Sequence, residues 1–186
     1  MTESPDTPWA KNHDTRIKKK FDEPPSEAAL FFHDFLKAAG VGGGRFIDIG
    51  CGNGRNAIYF AHQGFEVHAV DKSDEFLKDM DLHGVMPHCH SVTDYWFFED
   101  SFFDLALDMF CYSELADEER KSIYRSELSR VLKPGGYYFL CVPEGFLSRA
   151  GVEKELPGYA VLFETSFEDK INGKKKKAVG FILRKL

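Results

Sequence analysis

Positions 1 to 24 are polar, with Trp9 the only bulky apolar side chain between Met1 and Ile17. This predicts an N-terminal arm without a core of its own, closed by Pro24-Pro25, and leaves 25–186 as a single folded domain. Apolar periodicity begins next. Ser26 can cap a helix in which Ala28, Phe31, Phe32, Phe35 and Ala39 share one face, and Gly40 to Gly44 stop it. From there the pattern alternates between continuous apolar runs, which read as buried strands, and helical spacings. "RFIDIG" is a strand, "RNAIYFAHQ" a helix ended by Gly64, and "FEVHAVD" a second strand followed by a short helix from Asp74 to Leu82. "VMPHCHSV" predicts a weak third strand, because Pro87 fits only an edge or a strand start. "FFDLALDMF" is the fourth. Asp117 caps a long helix that buries Ile123, Tyr124, Leu128, Val131 and Leu132. "YYFLCV" is a fifth strand after the turn Lys133-Pro134-Gly135-Gly136.

Strand and helix in alternation predict a parallel sheet with helices on both faces. The C-terminal part departs from that rhythm. "YAVLFETSFED" and "KAVGFILRKL" are strand-like runs joined by Lys170-Ile171-Asn172-Gly173, and Asn-Gly is a strong hairpin signal. The sheet should finish in an antiparallel hairpin, with Phe163 and Phe181 available to the core.

Composition narrows the functional classes. A chain of 186 residues with 43% hydrophobic content can build one sizeable core. A net charge of −6 argues against a nucleic-acid surface, and the lysine runs Lys18–Lys20 and Lys174–Lys177 read as solvated segments. No apolar run is long enough to cross a bilayer, and the polar start does not read as a signal peptide. Cys51, Cys89, Cys111 and Cys141 lack CxxC spacing and read as reduced thiols, which fits a cytoplasmic chain. His83, His88, Cys89 and His90 have ligand chemistry, and His88 and His90 share a strand face. No further close pair completes a tetrahedral site, so no metal is expected.

The chemistry concentrates where the first strand meets its helix. Gly50, Gly52 and Gly54 interrupt both elements, although glycine weakens each. In an open α/β sheet this point is the ligand crevice, and missing Cβ atoms let a ligand rest on the backbone. Asp71 ends the second strand, where a carboxylate can accept hydrogen bonds from the hydroxyls of a ribose. The glycine spacing is G-x-G-x-G, not the G-x-G-x-x-G of dinucleotide sites, and Asp48 stands just before it. A carboxylate there repels a pyrophosphate and favours an ammonium or sulfonium, so the pattern points to a cationic nucleoside cofactor.

These segments resemble the class I S-adenosylmethionine-dependent methyltransferases. "DIGCGNG" is similar to their first motif and "AVDKS" to their ribose-binding second strand. "FEDSFFDLALDMF" is similar to the segment entering their fourth strand, and "SRVLKPGGYYFLCV" to their helix–turn–fifth-strand motif. "GCGNGRNAIYFAHQGFEVHAVDK" further resembles the tellurite-resistance methyltransferases and their relatives, including Arg55-Asn56. The resemblance implies an α/β, Rossmann-like, mostly parallel seven-stranded sheet in the order 3-2-1-4-5-7-6, closed by the antiparallel hairpin. It implies S-adenosyl-L-methionine as cofactor. Gly50, Gly52 and Gly54 would line its methionine and ribose, and Asp48 would reach the ammonium through the loop. Asp71 would hold the ribose hydroxyls with Lys72 flanking the adenine, while Asp94 and Tyr95 would meet the adenine edge. Asp108 and Met109 would offer backbone contacts near the methionine, and Arg16 of the arm would bind the cofactor carboxylate.

Methyl transfer from a sulfonium is an in-line displacement, so the protein must mainly align the reactants and exclude water. Phe110, Tyr112, Glu114 and the arm residues Trp9, His13 and Arg16 are the candidates for the acceptor pocket, and no catalytic base is identified. The fourth-strand exit Asp108-Met109-Phe110-Cys111 lacks the Asn/Asp-Pro-Pro-Tyr of some nucleic-acid and protein amino-methyltransferases. The Pro143–Gly158 connection has no room for a large lid, which leaves the arm as cover. The expected partner is a small-molecule methyl acceptor, with no nucleic acid and no membrane, for a monomer or homodimer. A non-catalytic S-adenosylmethionine-binding module or regulatory subunit stays open, and a nicotinamide enzyme is disfavoured by the glycine spacing.

Overall fold

The computed structural model describes residues 23–171 and 174–186. The arm residues Trp9, His13 and Arg16 lie outside them. Ser26 Oγ accepts the Ala29 N–H at 3.1 Å and caps α1, Glu27–Ala38, a contact that stabilises such a helix by about 1 kcal/mol. Ala28, Ala29, Phe32, His33 and Leu36 are its buried residues, and Ala39 is the C-cap, not part of the buried face. The chain continues through β1 (Arg45–Ile49), α2 (Arg55–His62) and β2 (Glu66–Asp71). The helix expected from Asp74 to Leu82 is split into α3, Asp74–Leu77, and a 3-10 turn, Met80–His83. The break falls at Asp79, whose φ of 65° is a left-handed conformation that aspartate tolerates better than most residues.

Next come β3 (Val85–Cys89), β4 (Phe103–Met109) and α4 (Glu118–Val131). Asp117 caps α4 by accepting the Arg120 N–H at 2.9 Å. Ile123 is only half-buried, and Glu127 takes a buried position on that helix. β5 (Leu132–Pro143), α5 (Arg149–Glu155), β6 (Tyr159–Ile171) and β7 (Lys174–Lys185) complete the chain. The seven strands lie in the order β3-β2-β1-β4-β5-β7-β6. The β3-β2-β1-β4-β5 pairings are parallel, and β7 runs antiparallel to β5 and β6. Phe181 is fully buried, whereas Phe163 is 51% exposed and meets only the edge of Phe35.

Each face of the sheet carries its own core. On one, α1 and α2 bury an aromatic cluster in which Phe32 stacks on Phe139 and Phe46 on Phe60. Each such ring contributes about 1.5–3 kcal/mol by leaving water. On the other lie α4 and α5. There the crossover from β3 to β4 contains no helix. Its bulk comes from Trp96, Phe98 and Phe102, packed on Phe103 at the start of β4, and its backbone is clamped from α4. Arg130 donates to the carbonyls of Phe98 at 2.6 Å and Trp96 at 2.5 Å, while buried Glu127 accepts the Trp96 N–H at 2.7 Å. Charged partners thus satisfy a backbone that a helix would have satisfied by itself.

The register brings one set of strand ends together. Ile49 pairs with Val70 on one side and Asp108 on the other, so β1, β2 and β4 finish side by side. Strand order reverses between β1 and β4, which makes this edge the crevice of the fold.

Candidate active site

The glycine loop is fastened to that edge. Gly50 and Cys51 both donate N–H groups to the Val70 carbonyl, at 2.8 and 3.0 Å, as the chain turns from β1 towards α2. A Cβ on Gly50 would lie 2.6 Å from Cys111 Sγ, and one on Gly54 would lie 2.5 Å from Met80 Cε. The protein's own side chains therefore exclude larger residues at these two positions. Gly52 differs, because a Cβ there would meet nothing within 4 Å. Of the three, Gly52 is the one that faces open space.

Three aspartates end the three strands, each in a different state. Asp71 is satisfied, with Oδ2 accepting the Gly52 N–H and Oδ1 the Ser73 N–H, both at 2.9 Å. It pins the loop while remaining beside the open crevice. Asp108 is fully buried and accepts from Cys111 N at 2.8 Å, Tyr112 N at 3.0 Å and Tyr124 Oη at 2.5 Å. Burial still outweighs these bonds and lifts its carboxyl to about 7. Asp48 is 1% exposed, and its Oδ2 has no hydrogen-bond partner. Burial first, then the charges of Asp108 and Asp71, push its carboxyl up to about 8 against the pull of the Ala57 N–H and Arg55. Burial likewise raises the Cys51 and Cys111 thiols well above their ordinary range, so neither is a thiolate nucleophile near neutral pH.

The other expected residues lie on the segments that follow β2, β3 and β4. Lys72 is exposed just past β2, and its carbonyl faces the Cys89 thiol at 3.6 Å. Asp94 and Tyr95 line a cavity of about 590 Å³ together with Thr93, Ser122, Ser126 and Glu127. The Tyr95 ring is 68% exposed and lies 4.5 Å from the Arg130 guanidinium carbon. After β4, Phe110 adopts φ 75° and its carbonyl accepts from Ser113 Oγ at 2.8 Å. Tyr112 does not face an acceptor. It is 1% exposed, donates to Glu155 and accepts from Arg125 at 2.7 Å, and burial raises its hydroxyl further, so it cannot serve as a base.

The contacts of Asn53 and Asn56, both inside the quoted glycine-loop motifs, were not read from the sequence. Asn53 Nδ2 donates to Glu23 at 3.2 Å, and Asn56 Oδ1 accepts the Ser26 N–H at 3.0 Å. The described chain therefore enters the domain directly beside the glycine loop. Asparagine in a first helical turn competes with backbone bonding, which was the available signal. The histidines also pair differently from expectation. His88 Nε2 meets Nδ1 of His68 on β2 at 2.9 Å, while His90 turns to the Tyr95 carbonyl. Among the described residues no three His, Cys, Asp or Glu side chains form a metal-holding group.

This crevice suits a cation next to a hydroxyl-bearing group. It offers an open glycine flank, the strand-end carboxylate of Asp71 and, close by, the buried Asp48 carboxyl with Oδ2 unpartnered. The methyltransferase domain family matches residues 47–140, half of the chain, and the protein belongs to it. It is a class I S-adenosylmethionine-dependent methyltransferase. The fold is shared with 1,6-didemethyltoxoflavin-N1-methyltransferase of Burkholderia thailandensis, at 18% identity over 100% of this chain and 92% of that one, TM-score 0.70. A methyltransferase of Methanosarcina mazei matches at 19% identity over 84% and 97%, TM-score 0.69. A TehB-like methyltransferase of Corynebacterium glutamicum matches at 18% over 83% and 96%, TM-score 0.59. No curated protein sequence matches the chain.

Proposed function

We propose that the protein methylates a small molecule with S-adenosylmethionine as donor. The observation that carries this reading is the short β5–β6 connection. Its one helix, α5, turns Val152 inward to the core, with Leu156 beside it, and leaves no insert large enough to grip a macromolecule. The Burkholderia relative has 1,6-didemethyltoxoflavin and S-adenosylhomocysteine bound, an acceptor of the size expected here.

In this reading Gly52 and its neighbours Gly50 and Gly54 underlie the methionine and ribose, and Asp71 accepts from the ribose hydroxyls. Lys72, Asp94 and Tyr95 border the adenine, with the cavity beside α4 at that end. Asp48 complements the ammonium, and Asp108 holds the β4 exit in the shape that presents its backbone. S-adenosylmethionine supplies an electrophilic methyl group. The residues described here orient donor and acceptor, keep water out and provide no general base. Such a site suits an acceptor that is already nucleophilic, such as a thiolate, or one that loses its proton to solvent. Glu23, where the described chain begins, meets Asn53 of the loop, and in this reading Arg16 would bind the cofactor carboxylate while Trp9 and His13 would serve the acceptor.

The test is S-adenosylhomocysteine release with thiol, selenite, tellurite, amine and carboxylate acceptors, compared with a variant lacking residues 1 to 20. Turnover of one acceptor class, weakened in the truncated protein, is expected. A full-length protein that binds the donor but turns over none of them is a binding module instead.

A further inference from the structure

Asp48 is expensive for a residue with only a packing role. It sits at the end of β1, 1% exposed, with the Ala57 N–H pulling on it and Oδ2 left without a partner. An apolar side chain would fill the same space without an unsatisfied buried oxygen. Its surroundings are hostile to negative charge. Asp71 approaches from β2 and Asp108 from β4, and Cys51 of the loop and Cys111 of the β4 exit feel the same carboxylate. Arg55 of α2 favours the ionised form, more weakly than those effects oppose it.

We propose that Asp48 distinguishes the methyl donor from its demethylated product, releasing its proton to solvent as a cationic ligand seats beside it. This rests on the S-adenosylmethionine reading above. Both ligands carry an ammonium, but only the donor carries a sulfonium. In a dry crevice each added positive charge favours the carboxylate over the carboxylic acid. A ligand that favours the ionised form binds more tightly as pH rises, and the donor gains more than the product. The carboxyl sits at about 8, so the change falls across neutral pH. Inhibition by S-adenosylhomocysteine should therefore fade as the medium becomes more alkaline.

Calorimetric titration of the full-length protein with S-adenosylmethionine and with S-adenosylhomocysteine decides the matter. It is run between about pH 6 and 9 in buffers of unlike ionisation enthalpy, so that proton release is read directly. The donor should release more protons than the product, and its affinity advantage should grow roughly tenfold across that range. Asp48→Asn keeps an acceptor for the Ala57 N–H and should flatten the ratio. Equal proton release with a constant ratio in the wild type overturns the inference while leaving the cofactor assignment standing, as does a slope that survives Asp48→Asn. Failure of both ligands to bind removes the cofactor reading and the inference together. If Asp48→Asn does not fold, equal proton release with a constant ratio in the wild type still overturns the inference, and Asp48→Glu, which keeps the titrating group, should shift the pH at which the ratio changes.

Discussion

Two sets of buried titratable side chains meet at β2, and they are opposites. On its flank His68 stacks against His88 with planes 4° apart and centroids 5.1 Å apart, hydrogen-bonded at 2.9 Å. Phe98, Phe102 and Phe103 ring His68, and Phe97 and Phe98 close over His88. At its end Asp71 joins Asp48 and Asp108. Each set leaves one buried atom without a hydrogen bond, His68 Nε2 and Asp48 Oδ2. The histidine nitrogen lies 3.6 Å from the Glu66 carboxylate, an opposite charge should it protonate. The aspartate oxygen has like charges around it. The histidine pair, with His88 only half-buried, has an acid beside it within the protein, whereas fully buried Asp48 has, as opposite charge, only the weaker Arg55. In the proposed reading the sign of what surrounds each cluster separates packing from ligand binding.

The largest expected effect tests the crevice itself. Asp71→Ala removes the proposed acceptor of the ribose hydroxyls and frees the Gly52 and Ser73 N–H groups that it now holds. Donor affinity should fall by about 2–3 kcal/mol, roughly a hundredfold. Calorimetry on a variant shown folded by circular dichroism checks this, and an unchanged affinity would place the ribose elsewhere.

A smaller effect appears in the ligand-free protein. The folded carboxyl of Asp48 sits at about 8, above its unfolded value of 3.8. The folded state therefore keeps a proton that the unfolded chain has lost, and this group's contribution fades as pH rises from about 4 to 8. Asp108, lifted to about 7, acts in the same direction. Thermal unfolding should show Asp48→Asn raising the melting temperature, by clearly more at pH 8 than at pH 5. Donor binding should recover the same loss in the wild type. Equal shifts at both pH values would mean that Asp48 is not protonated in the folded chain.

The strands, the closing hairpin and the glycine turn were legible because their signals are local, while the strand order followed from the family resemblance. The alternation of apolar runs, the G-x-G-x-G turn, the acid ending β2 and Asn172-Gly173 each act over a few residues. What could not be read depends on contacts across the sequence. No local pattern says that Cys111 is the side chain requiring Gly50 to be glycine, or that Glu127 and Arg130 of α4 satisfy the crossover in place of a helix. Tyr112 looked available for an acceptor because its position after β4 is local information, whereas its bonds to Glu155 and Arg125 are not. The histidines failed similarly. Alternation along β3 put His88 beside His90, but the cross-strand neighbour on β2 decided the pairing.

The smallest expected effect sharpens the other half of the comparison. Burial, with His68 and His90 nearby, holds His88 down at about 4, below its ordinary 6.5, and His68 is lowered for the same first reason. Below pH 6.5 the unfolded chain takes up protons that the folded pair refuses. The pair's contribution is thus complete above 6.5 and is lost as pH falls towards 4. This is the reverse of the aspartates, and the two opposing slopes overlap between about pH 4 and 6.5. His33 is lowered as well, so the acid limb has more than one source. His88→Leu should fit between Phe97 and Phe98, remove the like-charge partner of His68 and make the acid limb shallower. It should leave the alkaline limb and donor affinity where they were, since His88 belongs to the edge strand and not to the crevice. Denaturant unfolding at pH 5 and 7.5 reads the first effect and calorimetry the second. A variant that loses stability equally at both pH values would show that the pair acts through packing alone, and one that weakens donor binding would join the two clusters into a single site.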